Sequence, residues 1–172
     1  MPGVYIFIVA MRSVLLKSSL LLLIVVLVST GLSAQQIISM AGHWTQKGNS
    51  NDFGFKAKLT IDTSNNVDGV ITWSVIRVKS ATVRYYSARM KSTAREYVKG
   101  TYAPASKSLQ FHGVRKNDPD KIVSMDSYDI NLTSDNRVVG KSKGNKGLWD
   151  GIMSGNYTVM KSQIKRHSAN RK

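Results

Sequence analysis

The chain has 172 residues, with 25 Lys and Arg against 10 Asp and Glu, and no cysteine. That length holds at most one compact domain once a targeting segment is set aside. The missing cysteines exclude a disulfide scaffold, a thiolate metal centre, a thiol nucleophile and the lipidated cysteine of a lipoprotein, and 42% hydrophobic with 20% charged residues suits a folded chain.

From Met11 the chain reads Arg12 and Lys17, then an unbroken apolar run from Leu20 to Val28, then Ser29-Thr30-Gly31-Leu32-Ser33-Ala34. A positive start, a short apolar run and small residues in that order make a secretory signal. The run is too short to cross a bilayer core of roughly 30 Å, which takes about 20 apolar residues. Residues 1–34 are therefore expected to be a signal peptide cut after Ala34, or after Ser33 with Gly31 in the minus-three place, and Met11 offers a second start codon. The competing reading is an uncleaved anchor in which Val4 to Met11 extends the apolar surface past a snorkelling Arg12. The expected destination is periplasmic or extracellular, without a stable transmembrane anchor. Removing residues 1–34 takes away two basic groups and no acid, so the formal charge falls only from +15 to +13.

Past residue 34 the chain reads as strands nearly throughout. Phe53, Phe55, Ala57, Leu59 and Ile61 alternate with Gly54, Lys56, Lys58, Thr60 and Asp62, a period of two with one face buried and one wet. Thr63-Ser64-Asn65-Asn66 supplies a turn. Gly69, Ile71, Trp73 and Val75 then share a face before Ile76 and Val78 take the opposite phase, which predicts a bulge or bend.

Between Ala81 and Tyr97 two periods compete. Val83, Tyr86, Met90, Ala94 and Tyr97 fit one face of a helix. The same stretch fits a strand with Arg89, Lys91, Arg95 and Lys99 on one face and Ala88, Met90, Ala94, Glu96 and Val98 on the other. A strand or long hairpin is expected from Thr93 onward, and residues 81–92 stay open.

Val98, Gly100 and Tyr102 continue that alternation until Pro104-Ala105-Ser106 ends it, and Leu109 and Phe111 follow. Asn117-Asp118-Pro119-Asp120 reads as a loop, Tyr128, Ile130 and Leu132 as a strand, Ser134-Asp135-Asn136 as a turn. Val138 to Lys143 makes another strand and Gly144-Asn145-Lys146-Gly147 another turn. Trp149, Gly151 and Met153 are then expected to pair with a last strand through Tyr157 and Val159. Short strands with little room for crossover helices give an antiparallel meander. The expected fold class is all-β: about eight strands closing into a small barrel, since closure removes exposed edges. The expected organisation is 1–34 signal, 35–160 barrel and 161–172 a basic disordered tail.

Gly42-His43-Trp44-Thr45 with Gly48 and Ser50, followed by Gly69-Val70-Ile71-Thr72-Trp73, is similar to the opening of small secreted barrels of the avidin and lipocalin kind. In those barrels a Gly-x-Trp on the first strand closes one end. Gly100-Thr101-Tyr102, Phe111-His112-Gly113, Asp118-Pro119, Asp126-Ser127-Tyr128 and Gly147-Leu148-Trp149-Asp150-Gly151 resemble uncharacterised bacterial exported domains of that shape. The first match covers about a quarter of the chain after residue 34. It implies an architecture with a ligand-holding mouth, but no biotin site, because Gln46 stands where the avidin pattern places a short amide.

The chemistry inventory is thin. His43, His112 and His167 show no metal-ligand spacing, no Ser sits in a Gly-x-Ser-x-Gly elbow, and Asp118 and Asp120 lack the closing Glu of a calcium loop. No catalytic residue, metal or cofactor is expected. Trp44, Trp73, Trp149, Phe53, Phe55, Phe111 and Tyr128 read as core, with Trp73 nominated for a pocket. Glu96, the sole glutamate, faces inward on the strand reading, where it either orients a polar ligand or pairs with a nearby Lys or Arg or sits exposed at the rim.

Two functions from different classes follow. One is a non-catalytic binding module taking a small or extended ligand at its mouth, with Trp73, Glu96 and Tyr128 as the lining. The other is a basic interaction protein adhering to an anionic envelope lipid, glycan or other polyanion through Arg89, Lys91, Arg95 and Lys99 beside Tyr85, Tyr86 and Tyr97. Nucleic acid is not an expected partner, since no nucleic-acid motif accompanies these cations and the chain carries an export signal.

Overall fold

The computed structural model describes residues 35–48, 51–78, 88–144 and 150–162. They form one compact unit, and the chain's other unit, residues 1–33 with 163–172, lies outside the described residues. Eight antiparallel strands follow one another in chain order and close into a barrel. They are β1 (Gln35–Gln46), β2 (Asp52–Ile61), β3 (Asn66–Arg77), β4 (Thr93–Ala103), β5 (Ser108–Asn117), β6 (Ser127–Leu132), β7 (Arg137–Lys143) and β8 (Gly151–Ser162). Because β1 pairs with both β2 and β8, no strand of the barrel is left with an open edge.

The two-residue period decides what fills the interior. Leu59, Ile71, Leu109, Ile130 and Val138, from five different strands, are wholly buried, and each such side chain contributes about 1.5–3 kcal/mol. Their chain neighbours face solvent. Asp52 pairs with Arg77 while Phe53 pairs with Val75, so Ile76 is the extra residue of a bulge and turns outward, as the phase change in the sequence predicts. A second bulge at Val114, opposite Tyr97 and Val98, has no counterpart in the sequence reading.

One expectation needs correction, and part of the stretch left open at 81–92 takes a definite form. Gly151–Ser162 is one continuous strand paired along its length with β1, not a segment folded against a separate last strand, and it runs two residues into the expected tail. Arg89 and Lys91 do not share a strand face with Arg95 and Lys99. Ala88–Lys91 form a turn, with Lys91 at a positive φ of 74°, and β4 starts only at Thr93. Residues 81–87 and Trp149 lie outside the described residues.

The two ends of the barrel differ. One end carries the short turns at 62–65, 104–107 and 133–136, each with one left-handed residue: Asn65, Lys107 or Asn136. Their carbonyls accept the amides of Tyr102, Leu132 and Tyr157 at 2.9–3.0 Å, which laces the turns together around the rim. The other end carries the longer connections 47–51, 78–92, 118–126 and 144–150. The buried polar and charged residues, Gln46, Asn51, Asp52, Glu96, Asp126 and Ser142, all belong to this second end.

A buried carboxyl beneath the mouth and a cationic outer face

At the long-loop end, Glu96 points inward from β4 and is fully buried. Its phase follows from Ala94 and Val98, which flank it on the same inner face. Register sets Trp73 beside Ala94, and Tyr128 reaches the same place from β6. The Tyr128 hydroxyl donates to Glu96 Oε2 at 2.6 Å, the Trp73 indole Nε1 donates to the same oxygen at 3.0 Å, and the Asp126 backbone amide donates to Oε1 at 3.2 Å. Gly113 on β5 makes the room, since a Cβ there would overlap Glu96 Oε1. The rings of Trp73 and Tyr128 stack with centroids 6.2 Å apart, and Phe111 also stacks with Tyr128 at 4.9 Å.

The structure thus brings together Trp73, Glu96 and Tyr128, but as a connected network inside the core. Among the described residues neither Lys nor Arg pairs with Glu96, and it is buried rather than exposed at the rim, so the two plain readings of this residue are corrected. Burial pushes its carboxyl up from 4.5 to about 7, opposed by the bonds from Tyr128, Asp126 and Trp73 and reinforced by the nearby Asp126 charge. Asp126 is also raised, first by burial and then by Asp150, while Ser124 and Lys116 oppose the shift. Burial and the two acids Glu96 and Asp126 hold the Tyr128 phenol well above its ordinary range.

The mouth above this network is closed by the 118–126 segment. Ile122 inserts into the core at 1% exposure, and beneath it a cavity of about 20 Å³ is left between Trp44, Phe53, Trp73, Ile122, Asp126 and Tyr128. That is room for about one water. The described residues therefore fill the ligand-holding mouth that the resemblance implies. Asp118 organises the segment: its carboxylate accepts the Ile122 and Val123 amides at 2.8 and 3.1 Å and pairs with Lys116 at 3.1 Å. Arg89 Nε donates to the Asp120 carbonyl at 2.6 Å from the preceding turn. Asp118→Ala is expected to lower stability by about 1–3 kcal/mol, because two part-buried amides lose their acceptor. Urea denaturation followed by tryptophan emission measures it.

Sequence reasoning reads residues 117–120 as a loop, gives no role to Ile122, and names Asp126 and Gly113 only within the resemblance, without a part in the site. The one available signal is the apolar pair Ile122-Val123, one residue past Asp118-Pro119-Asp120, which a freely solvated loop does not need.

Cations sit on the outside. Register places Lys56 and Lys58 of β2, Arg95 and Lys99 of β4 and Arg115 of β5 on one stretch of outer wall around Tyr97. All five are exposed. The Arg115 guanidinium lies 4.0 Å from the Tyr97 ring centroid. Asp68 is the carboxylate among them, 3.8 Å from Lys99 across exposed surface. With neighbouring strands about 4.8 Å apart, the patch from β2 to β5 is roughly 14 Å wide. Of the four cations nominated from sequence, Arg95 and Lys99 belong to this patch, whereas Arg89 and Lys91 lie in the turn before β4. A hollow of about 850 Å³ on the outer wall across β4–β8 is larger. Its charges are mixed, with Lys141 directly opposite Asp129 in register, so it presents no single sign. His43 and His112 are exposed on outer faces, and no group of three metal-ligating side chains occurs among the described residues.

Compared with known proteins, this chain matches no family model, no curated protein and no solved structure. What the fold defines is a closed eight-stranded antiparallel barrel, a shape compatible with avidin-like and lipocalin-like proteins without singling out either.

Proposed function

We propose that this chain is an exported, non-catalytic barrel that adheres to a polyanion through its outer wall. The observation that carries this reading is the group of five exposed cations around Tyr97, answered by one carboxylate, on a chain of formal charge +15. Rigid strands hold these charges at fixed spacing, so an extended anion meets several at once and displaces its counterions together. Their exposure means that each charge keeps its water until the partner arrives, which favours fast, salt-sensitive attachment over deep burial. The signal-like residues 1–34 support an envelope or extracellular setting, where acidic glycans and anionic headgroups are the available polyanions. A ligand at the mouth, the other function expected of such a barrel, requires the 118–126 segment to move, because Ile122 occupies the place.

The test is the triple variant Arg95→Glu, Lys99→Glu, Arg115→Glu, compared with wild type on immobilised dextran sulfate and on vesicles with and without phosphatidylglycerol. All three positions are exposed, so the variant should keep its fold and its circular dichroism. Binding to at least one anionic surface is expected to fall by two orders of magnitude or more. Preference between the two surfaces says whether a glycan or a lipid headgroup is the partner. Unchanged binding by the triple variant would remove this wall from the account.

A further inference from the structure

We propose that the 118–126 segment is a lid over a second binding site, an aromatic cup with Asp126 in its lining and Glu96 bonded behind Trp73 and Tyr128, that takes a small organic ammonium ion. Three observations point there independently of the outer wall. The first is composition: Trp44, Phe53, Trp73 and Tyr128 surround the 20 Å³ cavity under Ile122, and such rings attract a cation over their faces. The second is charge. The buried charged residues, Asp52, Glu96 and Asp126, are all carboxylic acids at this end, and Asp52 is already satisfied by Arg77. Asp150, whose Oδ1 is buried without a hydrogen-bond partner, adds a further acid beside Asp126. The third is attachment. The lid has no strand pairing of its own and is held by side chains and single bonds: by Ile122, by the Asp118 network, by Arg89 on the Asp120 carbonyl and Lys116 on the Val123 carbonyl, and, at its far end, by the Asp126 amide on Glu96 and the Gly113 amide on the Asp126 carbonyl at 2.9 Å.

Closure removes Glu96 and Asp126 from water with no cation between them among the described residues. Among the described residues the titratable groups facing Glu96 are Tyr128 from β6 and Asp126 from the lid; β3 contributes the neutral Trp73, and β5 contributes Gly113. Lys116 and Asp150 act on Asp126. When both carboxyls carry protons, the closed lid suits them. When they ionise, they repel each other and seek water, which favours an open lid. An ammonium ion entering the opened cup supplies the missing countercharge, and its alkyl groups take the place Ile122 leaves. Binding therefore requires ionised carboxylates and a displaced Ile122, so the site strengthens as pH rises through neutrality.

The probe is phenyltrimethylammonium, titrated against the full chain by tryptophan quenching at pH 8 and pH 5.5, with neutral tert-butylbenzene as the isostere. Saturable quenching is expected at pH 8, at least tenfold weaker at pH 5.5 and at least tenfold weaker for the isostere. Glu96→Gln should abolish the preference for the cation, and Ile122→Ala, which loosens the lid anchor, should bind more tightly than wild type. Circular dichroism confirms that both variants are folded. No saturable binding at pH 8 by either wild type or Ile122→Ala overturns the proposal, as does equal affinity at the two pH values or an unchanged cation preference in Glu96→Gln.

Discussion

Raising the pH from 5 to 8 is expected to weaken the barrel by up to about 3 kcal/mol, the reverse of the usual acid sensitivity of folded proteins. The cause is Glu96, whose carboxyl is raised from 4.5 to about 7 chiefly by burial. A carboxyl that binds its proton more tightly in the folded than in the unfolded chain adds stability that is complete below 4.5. That contribution fades as the pH climbs through 7. Asp126 is shifted in the same direction and adds to the slope. The lowered carboxyls of Asp62 and Asp135 act in the opposite sense, but they titrate below their ordinary 3.8 and so outside this window. Urea midpoints measured at half-unit steps should therefore decline between pH 5 and 8, and Glu96→Gln should flatten most of the decline. A wild-type midpoint that rises across the window would mean that Glu96 is hydrated, and the buried network would have to be abandoned.

Gly42→Val should be among the most damaging substitutions at the described residues, at about 4 kcal/mol or more. Gly42 on β1 stands directly opposite Gly155 on β8, at the seam where the barrel closes. A Cβ at Gly42 would overlap the Ser154 carbonyl oxygen and crowd the Gly155 Cα, and one at Gly155 would overlap the Ala41 carbonyl. Both obstacles are backbone, so neither can rotate away; the two strands must separate or the seam must open. Ala41→Val, one residue earlier on the exposed outer face, serves as the control and should change stability by less than about 0.5 kcal/mol. Comparable melting of the two variants would show that the seam is not closely packed.

The barrel was legible because its signal repeats. The alternation from Phe53 to Ile61 and again from Tyr128 to Leu132 states which side each residue takes without any knowledge of partners, and the turn residues mark where each strand stops. The same alternation places Glu96 on the inner face through Val98. What it could not supply is register. Trp73 and Tyr128 lie 23 and 32 residues from Glu96, and they meet it only after strand order and two bulges have been settled. The bulge at Ile76 announces itself by a change of phase; the one at Val114 falls among polar residues, where a slipped phase leaves no trace. Arg89 and Lys91 stay open in the sequence because charges at every second position suit a strand and a turn uses the same residues. The closing of the mouth was hidden for a similar reason. Asn117, Asp118, Pro119 and Asp120 do make a turn, and the one mark that the following chain folds back into the core is the short apolar pair Ile122-Val123, too brief to show a period.

The most direct measurement is the affinity of the intact chain for dextran sulfate as a function of salt. If the five cations around Tyr97 bind as a group, the affinity should fall by about two orders of magnitude between 50 and 200 mM salt, with a shallower slope in the triple charge-reversal variant. An affinity that holds steady across that range, or a slope the variant leaves unaltered, would contradict attachment through the outer wall.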